Sequence, residues 1–339
     1  RVDFVFERCN RCNYRAIFSV YLLPNHFLTA MKRILSTLLA ALCLASCGGG
    51  SSRRKAADTA SDAPRVFLPA LAPARMSPDE QRDYLRWHYW DNFDFSDTLF
   101  LARADTLQLV EAYVRYVALI SDRPNDPAPI DSLMRRASAS RPMLDYFAML
   151  ADEVLHDPNS PLRNDEFYIP VLQAVLAAPW YDAYERLAPE YALKMAMQNR
   201  VGQPANDFTF ERIPGERGSL YGLRSEYVLL FVSNPGCALC REVREQIASS
   251  PMLSEMIERG RLAVLVLYPD EELDAWRAHA GEIPPAWINA RDPGCVVRDS
   301  GLYDLRAIPS LYLLDADKRV LVKDSADVAL IEKTTYRRS

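Results

Sequence analysis

Four short apolar runs in the last third of the chain constrain its fold more than any other feature. They are YVLLFVS (227–233), RLAVLVLYPD (261–270), SLYLLD (310–315) and RVLVKD (319–324). Runs of this length, bounded by turn residues, are typical of strands buried on both faces of a sheet. Between the first two runs, CREVREQIASS carries Val243 and Ile247 on one helical face. We therefore predict a βαβ unit, with parallel strands joined by a right-handed crossover.

The segments around this unit extend it to a mixed sheet. DEELDAWRAHAG, after the second run, predicts a helix that ends at Gly281. Only a short turn around Asp317 separates the last two runs, which therefore form an antiparallel hairpin. GQPANDFTFERIPGERGSLYGLR, before the first run, indicates short β-structure. The predicted order is βαβαββ, so residues 201–339 form an α/β domain with a mixed central sheet.

The preceding part of the chain has helical periodicity instead. Ser77, Pro78, Asp79 and Glu80 together make a strong helix start, with an N-cap residue, a proline in the first turn and acidic residues near the positive dipole end. Several later stretches repeat apolar residues at helical spacing, and none alternates as a strand does. We predict an all-helical domain at 77–200, which makes the whole protein α+β.

The first methionine, Met31, opens a segment that looks like a cleavable leader. Lys32 and Arg33 give it a positive start, residues 34–44 are apolar, and Leu-Ala-Ser precedes Cys47. The apolar run is too short for a stable membrane-spanning helix. The pattern resembles a bacterial lipoprotein signal, which implies cleavage before Cys47 and a lipid on its thiol. An ordinary signal peptide with an incidental cysteine is the alternative.

These assignments divide the first 76 residues into three segments. We predict an untranslated upstream extension at 1–30, a lipoprotein signal peptide at 31–46 and a flexible tether rich in Gly, Ser and Ala at 47–76. The mature protein would be lipid-anchored to the cell envelope, where disulfides persist. In some Gram-negative groups, an acidic run directly after the lipidated cysteine is associated with surface-exposed lipoproteins. No such run follows Cys47. We therefore expect the protein to face the periplasm.

Cys237 and Cys240 lie directly after the first apolar run, where the predicted helix begins. A thiol at a helix N-terminus faces unpaired N–H groups and the positive end of the helix dipole, which stabilise the thiolate. The thiolate attacks disulfides, and a second cysteine one turn away can close a small disulfide and release the partner. A CxxC pair beside a βαβ unit therefore indicates a redox centre.

Two other roles for the pair are weaker. A closed metal site needs four ligands, and the mature chain offers only Cys295 and His279 to complete one, with nothing that fixes them nearby. A structural disulfide between Cys237 and Cys240 would close so short a loop that it would stabilise the fold little. We predict no metal and no cofactor.

Several stretches carry a resemblance to a known family. VGQPANDFTF, CALC and AIPSLYLLDADKRVL make residues 200–325 similar to the TlpA/ResA type of extracytoplasmic thioredoxin-like proteins. HYWDNFDFSDT, DPNSPLRNDEFYIPVL and ALKMAMQNRVGQPANDF resemble a Bacteroidetes lipoprotein family, in which a helical domain of unknown function precedes the thioredoxin-like domain.

The resemblance implies a thiol–disulfide oxidoreductase with Cys237 and Cys240 as its active pair. It also implies a cis-proline at Pro309 that packs against the pair, with the adjoining backbone at Ile308 binding an extended substrate segment. A trans proline at a strand start is the alternative. Protein thiols and disulfides of the cell envelope are the expected partners. A binding or scaffold lipoprotein with a vestigial CxxC remains the second hypothesis.

The sequence departs from the family pattern in two places. Gly236 stands where thioredoxins usually have Trp before the first cysteine. The run YVLLFVS carries no carboxylate, whereas many relatives keep a buried acid beneath the pair, and Glu226 at the strand's start is a weak substitute. These departures leave the rate and direction of the reaction open. Peroxidase chemistry of the peroxiredoxin kind is disfavoured, because it expects Thr three residues before the cysteine and this chain has Asn234.

Two further features allow more than one interpretation. Cys295 is either a resolving or regulatory thiol or a small buried hydrophobic residue. The aromatic stretch at 85–95 is either a binding site or a packed helix end. The formal net charge of −5 gives no reason to expect a nucleic-acid partner.

Overall fold

The structure, a computed structural model, describes residues 65–104, 106–212 and 215–337. The predicted upstream extension, signal peptide and lipidation site at Cys47 lie outside these residues. Within the described ranges, seven α-helices come first: α1 (Pro78–His88), α2 (Thr98–Arg103), α3 (Thr106–Ile120), α4 (Ala128–Ala137), α5 (Arg141–Ala151), α6 (Asp165–Ala177) and α7 (Ala183–Ala196). Ser77 begins α1 as predicted, because its side chain accepts the N–H of Glu80 while the Glu80 side chain accepts the N–H of Ser77 in a capping box.

Aromatic side chains form the core of this helical segment. Tyr89, Trp90 and Phe93 are buried, so the aromatic stretch is a packed helix end. Phe67 is buried as well and stacks on Trp90, with 4.8 Å between the ring centroids. Gln108 fixes the backbone of Phe67 through both its N–H and its carbonyl. The flexible tether was predicted to span residues 47–76. Its C-terminal part is wrong, because the chain is already packed against the helical segment at Phe67.

The second part of the chain forms one mixed sheet. Its described strands are β1 (Thr209–Arg212), β2 (Arg217–Ser219), β3 (Tyr227–Val232), β4 (Leu262–Tyr268), β5 (Ile288–Arg291), β6 (Ser310–Asp315) and β7 (Val320–Ser325). The strand order is β2-β1-β5-β4-β3-β6-β7. Strands β3, β4 and β5 run parallel, whereas β6 pairs antiparallel with both β3 and β7. The predicted α+β class and mixed sheet are confirmed, and β5 is an additional strand.

Five α-helices accompany the sheet in the described residues. They are α8 (Ala238–Ser249), α9 (Pro251–Glu258), α10 (Leu273–Ala278), α11 (Val296–Asp299) and α12 (Val328–Tyr336). Every residue of β3 is buried, because the alternating side chains of this strand enter two separate cores. Leu229 and Phe231 pack with Cys240 and helix α8. Val228, Leu230 and Val232 pack on the opposite face with Tyr312.

The helical segment and the sheet belong to one compact unit. Two ion pairs with largely buried side chains join them at β7: Arg163 pairs with Asp324, and Asp165 pairs with Lys323 at 2.7 Å. Lys323 also donates to the carbonyl of Ala196 at 2.8 Å. Separating a buried ion pair would leave uncompensated charges inside the protein and lower its stability. These contacts therefore fix the helical segment against the hairpin β6–β7.

Candidate functional site

Cys237 caps the N-terminus of α8. After β3 the chain turns through residues 234–237, and the Cys237 N–H donates to the carbonyl of Asn234 at 3.4 Å. Gly236 has φ +73°, a left-handed conformation that favours glycine, so the turn itself accounts for the absence of the usual Trp. The sulfur of Cys237 accepts the N–H of Cys240 at 3.2 Å, as an N-cap side chain does. Its side chain is partly exposed.

Cys240 lies one helical turn further and is buried, with 1% of its surface exposed. Burial, together with the adjoining Cys237 thiol, raises the pKa of the Cys240 thiol to about 11. The N–H of Asn234 and the hydroxyl of Ser233 oppose this rise by hydrogen bonding to the sulfur. The two thiols therefore differ in the way that an attacking and a resolving cysteine would: one is accessible, and the other is held protonated inside the fold.

The segment before β6 approaches the pair from a distant part of the sequence. The peptide bond between Ile308 and Pro309 is cis, as the sequence predicts. The carbonyl oxygen of Ile308 lies 3.9 Å from the sulfur of Cys237. The structure thus brings together Cys237, Cys240, Ile308 and Pro309, the four residues predicted to form the site.

A polar contact that the sequence did not indicate supports this segment. Ser310 directly follows Pro309, and its hydroxyl donates to Asp324 at 2.6 Å. Asp324 in turn is the residue that pairs with Arg163 of the helical segment. The helical segment is therefore linked through two side chains to the residue beside the cis-proline. Nothing in the sequence marks this link, because its members lie on three separated stretches.

The remaining sequence candidates lie away from the pair. Glu226 forms a surface ion pair with Arg261 at 2.6 Å, so it does not supply the acid that many relatives keep beneath the thiols. Cys295 is fully buried, as expected of a small hydrophobic residue. Among the described residues, no cluster of three or more His, Cys, Asp and Glu side chains is arranged to hold a metal ion. None of the helices in that part of the chain has the length and apolar character needed to cross a membrane.

Comparisons with known proteins show the family to which the chain belongs. A family model described as a domain of unknown function, DUF5106, matches residues 49–199. The crystal structure of a thioredoxin-like protein from Bacteroides caccae has 39% sequence identity to this chain, and the match covers 80% of this chain and 98% of that one at a TM-score of 0.74. No curated protein matches the chain.

Two shorter structures from Bacteroides fragilis also match. One is the C-terminal domain of an uncharacterized protein, at 42% identity over 42% of this chain and 99% of that one, with a TM-score of 0.39. The other is a conserved protein of unknown function, at 37% identity over 40% and 98% of the two chains, with a TM-score of 0.38. The Bacteroides caccae structure spans both the helical segment and the sheet, and on that likeness this chain belongs to the thioredoxin-like protein family.

Proposed function

We propose that this protein is an extracytoplasmic thiol–disulfide oxidoreductase that exchanges disulfides with protein partners. One observation carries the proposal: the partly exposed sulfur of Cys237 caps a helix of 12 residues and lies 3.9 Å from the carbonyl that precedes a cis-proline. A thiol in that position is within reach of a partner, and its sulfur accepts an N–H at the start of the helix.

The proposed reaction has two exchange steps. The Cys237 thiolate attacks one sulfur of a partner's disulfide, forming a mixed disulfide and releasing the partner's other sulfur as a thiolate. The Cys240 thiolate then attacks the sulfur of Cys237, which forms the Cys237–Cys240 disulfide and frees the reduced partner. The protein has gained a disulfide and the partner has gained two electrons, so an external dithiol must reduce the pair before the next turnover. Run backwards, the same steps oxidise a partner.

The partner's backbone is expected to lie against Ile308 and Pro309. The Ile308 carbonyl is close to the Cys237 sulfur, so a peptide whose disulfide is under attack would extend along this segment. Backbone recognition of this kind is sequence-tolerant, because main-chain groups supply the hydrogen bonds. We therefore propose cell-envelope proteins with accessible disulfides as the partner class.

We further propose that the protein is lipidated at Cys47, faces the periplasm and is of the TlpA/ResA type. The sequence pattern from Met31 to Cys47 supports this location. Expression of wild type and Cys47→Ala, followed by separation of membranes from soluble protein and mass analysis of the N-terminus, tests it. A wild-type protein that retains residues 31–46, or a variant that fractionates with membranes as wild type does, contradicts the lipid anchor.

Disulfide reduction tests the proposed activity. In the presence of a dithiol, the full chain should accelerate the reduction of a peptide disulfide such as those of insulin. Cys237→Ala should abolish the acceleration, and the matched control Cys295→Ala should retain it, because that thiol is buried away from the pair. A Cys237→Ala protein as active as wild type would favour the scaffold hypothesis, with a vestigial CxxC.

A further inference from the structure

The helical segment holds the chain on both sides of Ile308 and Pro309, the partner-binding segment. This inference rests on the proposed function, in which an extended partner lies against these two residues. Both contacts come from the α5–α6 connection, residues 152–164, which begins with a π-helix (Asp152–His156). Single π-helical turns that interrupt or end an α-helix are frequent at functional sites. The connection therefore lies where it can act on the partner-binding segment.

On the upstream side, the contact joins Arg306 and His156. Nη1 of Arg306, two residues before Ile308, donates to Nε2 of His156. Arginine only donates hydrogen bonds, so Nε2 accepts and the neutral ring carries its hydrogen on Nδ1. The ring stacks on Tyr168 of α6, with 4.4 Å between the centroids and 21° between the planes. Asp304 holds the rest of the guanidinium, because its carboxylate accepts from Nε at 2.9 Å and from Nη2 at 2.6 Å.

On the downstream side, the contact runs through Asp324. Its carboxylate pairs with Arg163 of the α5–α6 connection, and it also accepts the hydroxyl of Ser310, the residue after Pro309, at 2.6 Å. The side chains of Arg163 and Asp324 are 15% and 7% exposed. Little water can therefore replace either partner, so the pair is costly to break and the position of Ser310 depends on it.

A β-bulge in β7 aims Asp324 at the helical segment. Between its pairings with Leu311 and Leu313, β7 advances three residues while β6 advances two. Asp324 lies in this bulge with φ +45°, a left-handed backbone that is uncommon outside glycine, asparagine and aspartate. Successive strand residues normally point to opposite faces, yet Lys323 and Asp324 both pair with the helical segment. Bulges re-aim side chains in this way and are common beside active sites.

We propose that the α5–α6 connection is a clamp that positions the partner-binding segment. His156 holds Arg306 on one side of the segment, and Arg163 holds Ser310, through Asp324, on the other. His156 and Arg163 are therefore positioning residues, which act by keeping the Ile308 carbonyl 3.9 Å from the Cys237 sulfur. A partner can then dock its backbone and present its disulfide to the thiol at the same time. The helical segment thus contributes to the affinity for extended partners and not to the attack itself.

The upstream half of the clamp depends on the protonation of His156. Burial and then the charge of Arg306 lower the pKa of its ring below the ordinary 6.5, and nearby carboxylates oppose the shift. These carboxylates are Asp152, Asp165 and Asp304. Tyr168 stays neutral, because burial raises the pKa of its phenol. A proton on Nε2 would face the Arg306 donor with a second donor, so the contact is complete at neutral pH and lost as pH falls through the lowered pKa.

Two substrates of the full chain separate positioning from attack. The first is a short peptide whose two halves, one with a fluorophore and one with a quencher, are joined by a disulfide. The second is dithiobis(nitrobenzoic acid), which has no peptide backbone to dock. The ratio of kcat/KM for the peptide to the rate with the small disulfide cancels the ionisation of Cys237. His156→Ala and Arg163→Met should each lower this ratio about tenfold near pH 7, through KM, since a misplacement of about 1 Å can cost about 10²-fold.

Conservative variants guard against a merely structural effect. Arg163→Lys keeps a cation beside Asp324, and His156→Gln keeps an acceptor for Arg306, so both should retain the wild-type ratio near pH 7. From about pH 7 to about pH 5 the wild-type ratio should fall, because His156 becomes protonated. The ratio of His156→Gln should stay constant, because an amide oxygen accepts a hydrogen bond across this range.

Two matched controls change the same residue types elsewhere in the helical segment. His88→Gln removes a ring that stacks on Tyr84, and Arg135→Met breaks an exposed pair with Asp131, so both should behave as wild type. A ratio that is unchanged in His156→Ala or in Arg163→Met, or a fall with pH that persists in His156→Gln, overturns the clamp. If Arg163→Met fails to fold, the His156 variants decide the outcome. A wild-type protein that reduces neither substrate overturns the proposed function, and the clamp with it.

Discussion

Cys237 and Cys295 occupy the same position relative to a helix, each at the residue before its first turn. Cys237 precedes the 12 residues of α8, has an ordinary extended backbone with φ −72°, and receives a helix N–H on its sulfur. Cys295 precedes the four residues of α11, has a left-handed backbone with φ +52°, and makes no side-chain capping bond. The first thiol is partly exposed and the second is fully buried.

The helix after Cys295 is capped by a different side chain. Asp292, itself buried, accepts the N–H of Val297 at 2.6 Å and so caps α11. Burial raises the pKa of this carboxyl, and the bond from the Val297 N–H opposes the rise. Burial raises the pKa of the Cys295 thiol, the carboxylates of Glu271 and Asp292 add to the rise, and Arg298 opposes it. We therefore expect Cys237, whose sulfur accepts a helix N–H and whose side chain is partly exposed, to be more reactive than Cys295.

The largest expected effect is a difference in reactivity between these two thiols. In the folded, reduced protein near neutral pH, Cys237 should be alkylated by iodoacetamide at least about 10³-fold faster than Cys295, because a fully buried thiol reacts only after local opening. Quenched samples digested and analysed by mass spectrometry give both rates, and denatured protein serves as the control in which the rates converge. Rates within tenfold of each other in the folded protein would break the comparison.

The surroundings of Cys237 should also depend on the helical segment. Arg163→Ala leaves Asp324 charged and largely buried beside Ser310, so we expect the free energy of unfolding to fall by about 3 kcal/mol. Arg135→Ala, which removes an exposed pair with Asp131, should change it by less than about 0.5 kcal/mol. Urea unfolding of both variants measures the difference. Equal, small losses would mean that the helical segment does not support the cis-proline side of the site.

The cap on the Cys295 side can be removed selectively. Asp292→Ala deprives the buried N–H of Val297 of its acceptor and should cost about 2 kcal/mol of stability. Asp299→Ala is the matched control, because that carboxylate is exposed and pairs with Arg298 at the surface. Chemical denaturation tests both. If Asp292→Ala is as stable as the control, the assignment of the α11 cap to this carboxylate is wrong.

The smallest effect concerns the turn before Cys237. Gly236→Ala should lose about 1 kcal/mol, because a Cβ meets no atom within 4 Å but the backbone at φ +73° disfavours any side chain. Gly281→Ala, at an open position without positive φ, should be neutral or slightly stabilising. Thermal or urea unfolding of the pair gives the difference. A Gly236→Ala variant as stable as Gly281→Ala would remove the backbone explanation for the missing Trp.

Much of the fold could be predicted because its strands are locally distinctive. The long apolar runs are buried on both faces, so they stand out as strands, and the short loop around Asp317 marks the hairpin. Strand β5 (Ile288–Arg291) was missed because INAR is short and only Ala290 is fully buried. Its strand character comes from pairing with β4 and β1, which no local pattern reports.

The site also contains residues that local patterns predict and contacts that only the packing of the fold creates. Cys237, Cys240 and Pro309 could be predicted because a CxxC after a strand and a proline before another strand are local patterns. The contact of Ser233 with Cys240 could not, since it depends on how α8 packs over β3. Ser233 does end an otherwise apolar run, which is the one signal that could have singled it out.

Capture of the mixed disulfide tests the central claim, that Cys237 attacks and Cys240 resolves. Cys237→Ala, Cys240→Ala and Cys295→Ala proteins would be expressed in the cell envelope and compared on non-reducing gels. We expect partners to accumulate as disulfide-linked adducts of Cys240→Ala, because release needs the second thiol. No adducts should form with Cys237→Ala, and Cys295→Ala should match wild type. Adducts that persist in Cys237→Ala and vanish in Cys295→Ala would contradict the account and make Cys295 the nucleophile.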